Sequence, residues 1–174
     1  GAQIINVSMG SYGDSAFVAE AVKYASQRGV VIVASAGNEG LQGLAFPAAY
    51  PEVISVGAID AAGAHLDFSN QSNALSTSAP GFQVNAAWPN EQIISFSGTS
   101  ASAPFVSGSI AALMSQDKRL SAFQASQLLL THSNEAGVMG PDAEFGIGTL
   151  DLGRAMLADT PDIVDPAIAS TYYV

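Results

Sequence analysis

Val30-Val31-Ile32-Val33-Ala34-Ser35 is an apolar, β-branched run that passes directly into Ala36-Gly37-Asn38-Glu39-Gly40. It has the length of a buried strand and is far short of the roughly 18 apolar residues of a membrane span. Similar runs lie on either side, at Ile4 to Ser8 and at Val53 to Val56. Between the first and second, Phe17, Val18, Ala21, Val22 and Ala25 recur at helical spacing, with Asp14 or Ser15 as N-cap and Gly29 just past the end. Strand, helix, strand predicts an α/β fold, a parallel sheet flanked by helices and joined by right-handed crossovers.

Composition supports one domain with a sizeable core: 174 residues, 48% of them hydrophobic, with 17 glycines. Fifteen acidic against five basic side chains give a formal charge of −10, which argues against nucleic acid or an anionic membrane as partner. Cysteine is absent, so no disulfide framework exists and the redox compartment is left open. Gly1-Ala2-Gln3 leads almost at once into a core strand, with no charged and apolar targeting segment before it. A chain that begins inside its own core is expected to be part of a longer one.

Residues 60–98 are rich in Ser, Asn, Gly and Pro and read as loops and edge structure, with a turn at Ala79-Pro80-Gly81 and a short strand from Gln92 to Phe96. From Thr99 to Met114, small residues accompany Val106, Ile110, Leu113 and Met114, which predicts a central helix in close contact on most sides. Pro104 falls near its start, where a lost hydrogen bond costs least. Further helices are predicted at Ala122 to Thr131 and, after the turn Phe145-Gly146-Ile147-Gly148, at Leu152 to Ala158. The division that follows is a folded unit over 1–158 and a tail or linker over 159–174.

Two segments could carry chemistry. In Ser97-Gly98-Thr99-Ser100-Ala101-Ser102-Ala103-Pro104, glycine permits a tight turn into a helix whose unpaired N–H groups and dipole would favour an oxyanion beside Ser100. Taken alone, Thr99 or Ser100 reads as a helix cap, the common use of Ser and Thr at this position. Asn38, in a glycine-flanked loop at a strand's C-terminal end, can aim its amide N–H into the crevice where α/β folds bind ligands; taken alone, it reads as a turn residue of a Gly/Asn loop.

Taken together and in order, the segments resemble the subtilisin-like serine proteases. The motifs are Ser8-Met9-Gly10, Gly37-Asn38, Tyr50-Pro51-Glu52-Val53-Ile54-Ser55-Val56-Gly57, Ala79-Pro80-Gly81 and Gly98-Thr99-Ser100-Ala101-Ser102-Ala103-Pro104, closing with Phe145 to Asp151. Ordered matches multiply where each alone is weak. The resemblance implies a partial subtilisin-like fold, Ser100 as nucleophile, and Asn38 with the Ser100 N–H as oxyanion donors. It also implies substrate contacts at Ser8, Met9, Gly10, Ala36, Gly37 and Thr99, and a peptide or protein substrate paired in extended form. The family is commonly secreted, so an extracytoplasmic location is expected.

The chain departs from that pattern at one decisive point. The family order is Asp, His, Ser, with the histidine roughly 150 residues before the serine. Only 99 residues precede Ser100, and nothing before Ser8 resembles the segments that would carry Asp and His. The chain alone is therefore expected to be nearly inert, with the N-terminal strands, the base and its carboxylate supplied by an N-terminal fragment of the same protein; self-association is the other expected partner. His65, in a surface connection, and His132, at the end of a distal helix, are expected to be structural. Phe105 is expected to pack inside. No cofactor is expected, and no calcium-loop pattern is present although the family can hold structural calcium. Asp159, Asp162 and Asp165 read as a solvated acidic linker. Two other readings exist: a protease-like module that binds peptides or partners without catalysis, and an α/β-hydrolase esterase. The second needs Gly-x-Ser-x-Gly where this chain has Gly98-Thr99-Ser100-Ala101-Ser102.

Overall fold

The computed structural model describes residues 1–158, so the tail expected over 159–174, with its acidic residues, lies outside the described residues. Strand β1 spans Ile4–Val7, helix α1 Ala16–Ser26, β2 Val31–Ser35, β3 Val53–Ile59 and β4 Thr77–Pro80. The four strands form one parallel sheet in the order β1-β2-β3-β4, with Ile5 opposite Ile32, Val33 opposite Ile54, and Val56 opposite Thr77.

Why the sheet is covered on both faces can be read from β2. Successive strand side chains point to opposite faces. Val31 and Val33 enter one apolar cluster, with Val56, Ala79 and the helix residues Ala103, Val106, Ile110 and Leu113. Ile32 and Ala34 enter another, with Val22 of α1, Ala48, Tyr50 and Val53. Every residue of β2 is buried, which explains its unbroken apolar run. Helix α2, Thr99–Gln116, crosses the first face and touches all four strands. Helices α3, Ala122–Thr131, and α4, Leu152–Ala158, complete that layer through Ala125, Leu129 and Ala155. A capping box between Ser121 and Gln124 starts α3 where the sequence predicts it.

Three expectations are corrected. Ala79-Pro80-Gly81 is not simply a turn: Thr77–Pro80 is an outer strand of the parallel sheet, with Pro80 as its last residue, a position that tolerates a missing N–H. The strand Gln92–Phe96 has an antiparallel partner, Val84–Trp88, whose alanines and asparagine gave no β-branched signal. The α1 N-cap is Ser15, one of the two candidates, though without a side-chain cap bond, while Asp14 accepts a hydrogen bond from the Tyr50 hydroxyl at 2.7 Å. Finally, α2 packs against the sheet and against α3 and leaves one face open: Pro104, Phe105, Gly108 and Ala111 are exposed, and Phe105 is 41% exposed rather than inside.

Candidate active site

Because β1 and β2 run parallel, the residues that follow them emerge at one edge of the sheet. Ser8-Met9-Gly10 follows β1 and Ala36-Gly37-Asn38 follows β2, and the N-terminus of α2 arrives between them. This is the crevice beyond the carboxyl ends of the strands, where α/β sheets bind ligands.

Ser100 sits in the first turn of α2, where backbone N–H groups lack an intrahelical partner. Its Oγ donates to the Ser8 carbonyl at 3.1 Å, and the Ser8 hydroxyl donates back to the Ser100 carbonyl at 2.9 Å. Asn6 Nδ2 donates to the Ser8 hydroxyl at 2.8 Å. The serine is thus tied to the end of β1.

Asn38 is held by its amide oxygen. The Thr99 N–H donates to Oδ1 at 2.8 Å, and the Thr99 hydroxyl lies 2.9 Å from the same atom. A backbone N–H can only donate, so the atom facing it is the oxygen, and Nδ2 is left as a donor for another acceptor. Gly98 makes this approach possible: its φ of +152° is a backbone state that side chains rarely adopt, and a Cβ there would stand 3.3 Å from Asn38 Nδ2.

Of the residues expected to meet substrate, Met9 and Gly10 are exposed, and Ser8 and Gly37 are partly buried beside them. Ala36 and Thr99 differ, being fully buried. Thr99 serves Asn38 and Gly37 instead: the Gly37 N–H donates to its hydroxyl at 3.2 Å.

Both histidines make contacts of their own in the fold. His132 ends α3, its Nδ1 2.8 Å from the Leu128 carbonyl. His65 is half-buried, with its ring edge-on to Phe145 at 6.0 Å between centroids. Burial of its ring exceeds what a surface connection suggested, and Nε2 has no hydrogen-bond partner.

Sequence reading missed a second tier of polar residues behind the loop. Tyr12 donates to the Glu39 carboxylate, and the same carboxylate oxygen accepts the Asn38 N–H at 2.8 Å. Burial of the phenol first, and its bond to Glu39 second, hold the Tyr12 hydroxyl above the ordinary tyrosine value of 10.0. A raised value in the fold means that the neutral phenol is favoured there, so its contribution is complete below pH 10 and is lost as pH rises through the shifted value. Tyr12→Phe is therefore expected to lower the melting temperature by a constant amount between about pH 6 and 9, with the difference shrinking above about pH 10. Thermal unfolding across that range checks it; a difference that widens with alkali contradicts it.

Known proteins resemble this chain in sequence and in fold. The sequence profile described as the Subtilase family matches residues 1–148. The thermostable alkaline protease of Halalkalibacterium halodurans is 36% identical over 152 residues, covering 87% of this chain and 41% of the relative. Subtilisin DY of Bacillus licheniformis is 35% identical over 159 residues, covering 89% and 57%. Among solved structures, the prenylagaramide maturation protease PagA superposes with a TM-score of 0.83 at 32% identity, over 94% of this chain and 64% of that one. The chain spans about half the length of the curated relatives it matches.

Proposed function

The chain belongs to the subtilase family, and from that premise we propose that it is the nucleophile-bearing part of a serine endopeptidase. The observation that carries the reading is the pairing of Ser100, in the first turn of α2, with an Asn38 side chain whose oxygen is occupied and whose nitrogen is available. In this reading Ser100 Oγ attacks the carbonyl carbon of a peptide bond while its proton passes to an imidazole base. The developing oxyanion accepts hydrogen bonds from Asn38 Nδ2 and the Ser100 N–H. Collapse of the tetrahedral intermediate breaks the C–N bond, the imidazolium gives its proton to the leaving amine, and water then hydrolyses the ester on Ser100. Ser8 to Gly10 and Gly37 flank the residue before the scissile bond, and an extended peptide pairs with those backbone edges.

The base belongs to sequence outside this chain. Ser100 Oγ is bonded to the Ser8 carbonyl, while His132 Nδ1 lies against the Leu128 carbonyl and the His65 ring lies edge-on to Phe145. Two features support a companion segment that carries it. Among the described residues β1 pairs on one side only, with β2, which leaves a strand edge open. Beside it lies an apolar groove of about 510 Å³ between β1 and α1, lined by Ile5, Val7, Val18, Val22, Phe46 and Tyr50. The partner is an N-terminal segment of the same protein that closes this edge and brings His and Asp to Ser100. An extracytoplasmic location is part of the same reading; among the described residues no helix is long and apolar enough to cross a membrane.

The purified chain by itself is expected to self-associate through the open edge and groove and to hydrolyse no peptide. Adding the N-terminal segment is expected to give a discrete complex and to switch hydrolysis on. Light scattering with a peptide assay on both samples checks this. A monodisperse monomer near 17.7 kDa that unfolds cooperatively, and stays inactive with the segment bound, would instead indicate a non-catalytic binding module.

A further inference from the structure

Asn70 lies in the connection after β3, carries no charge, is fully buried, and belongs to none of the segments assigned to the site. Its side chain nevertheless spends every polar atom on the loop that bears Asn38. Oδ1 accepts the N–H groups of Glu39 at 3.1 Å and Leu41 at 3.0 Å. Nδ2 donates to the Ala36 carbonyl at 3.3 Å and to the Tyr12 hydroxyl at 2.8 Å. The Asn70 N–H donates to the Gly37 carbonyl at 3.1 Å. These bonds reach Ala36, Gly37, Glu39 and Leu41, so the residue between them, Asn38, is bracketed from both sides by one rigid amide.

Tyr12 closes the bracket into a ring. Asn70 donates to its hydroxyl, Tyr12 donates to Glu39, and Glu39 accepts the Asn38 N–H. The ring also joins the loop after β1 to the loop after β2, the two walls of the crevice. Its fit is tight: a Cβ on Gly37, where φ is +115°, would stand 2.3 Å from Asn70 Nδ2 and 2.9 Å from the Tyr12 hydroxyl. A buried side chain with both its amide atoms bonded to one loop holds that loop in a single arrangement.

We infer that Asn70 is a positioning residue for the oxyanion donor, acting with Tyr12 to fix the backbone from which Asn38 Nδ2 reaches the reacting carbonyl. This deepens the proposed function and rests on it. Stabilising an oxyanion depends on donors already aimed before charge develops, so loosening the bracket lowers turnover more than ground-state binding.

A double-mutant cycle on the chain complexed with its N-terminal segment tests it, reading kcat and KM on a peptide substrate. Asn70→Ala is expected to lower kcat by about 10- to 100-fold with KM nearly unchanged, the size that small misplacements produce. In an Asn38→Ala background the same change is expected to cost less than about threefold, because the donor it positions is gone. Tyr12 is half-exposed and its loss to Phe removes one hydroxyl, so that variant serves if Asn70→Ala does not fold; about a fivefold loss is expected, again absent without Asn38. Losses that are the same with and without Asn38 overturn the inference and leave the protease reading standing. A wild-type complex with no turnover overturns the protease reading and the inference with it.

Discussion

Ser100→Ala, in the complex with the N-terminal segment, is expected to lower kcat by about 10⁶-fold, the loss known for removal of the nucleophile in subtilisin rather than a value obtained from this geometry. The fold should scarcely notice. The Ser100 hydroxyl makes one hydrogen bond, to the partly buried Ser8 carbonyl, and such a bond contributes about 0.5–1.5 kcal/mol net. The reverse bond, from Ser8 to the Ser100 carbonyl, does not involve the hydroxyl and persists in the variant. Near-total loss of hydrolysis with a melting temperature within a few degrees of wild type therefore separates a nucleophile from a helix cap. A cap residue would show the opposite balance: lowered stability and retained turnover.

Changing Asn38 is expected to have the next largest effect, and two substitutions divide its roles. Asn38→Ala removes the Nδ2 donor, for which about 10²–10³ in kcat is the loss known for the side-chain donor in subtilisin. It also strips the fully buried Thr99 N–H of its acceptor and leaves the Thr99 hydroxyl only the Gly37 carbonyl at 3.3 Å, a further cost of about 1–3 kcal/mol in stability. Asn38→Asp keeps an oxygen facing Thr99 but places a second oxygen where the donor stood. Turnover should then fall at least as far as in Asn38→Ala, since a carboxylate opposes an oxyanion, while most of the stability is retained. Steady-state kinetics and thermal unfolding on the two variants check this; full activity in Asn38→Asp would remove Asn38 from the chemistry.

What the sequence made legible follows the range of the interactions. The strand, helix, strand unit and the helices at 122–131 and 152–158 are written in local periodicity, and the structure has them there. Ser100 and Asn38 stand in short motifs whose order along the chain identified the family. The fourth strand was hidden because Thr77–Pro80 ends in a proline followed by Gly81, punctuation that reads as a turn when the neighbouring β3 is not known to lie beside it. Phe105 was misread for a related reason. Amphipathicity in a helix made mostly of small residues does not say which side meets the sheet, and here Ala103, Val106, Ile110 and Leu113 took that side.

The second tier was beyond local reading altogether. Thr99 is 61 residues from Asn38, Asn70 is 31 from Glu39, and Tyr12 is 58 from Asn70. No spacing rule links such residues, and each is an ordinary polar side chain in its own neighbourhood. They acquire a role only when the parallel sheet brings the ends of β1 and β2 together and the connection after β3 folds back beneath them.

In the proposed function, Ser100 becomes a nucleophile once a base is supplied. Labelling with a peptidyl phosphonate, followed by proteolytic mapping by mass spectrometry, tests this most directly. With the N-terminal segment bound, a single adduct is expected on the peptide containing Ser100, absent from Ser100→Ala and nearly absent from the chain by itself. No adduct in the complete complex, or an adduct on another residue that survives Ser100→Ala, would contradict it.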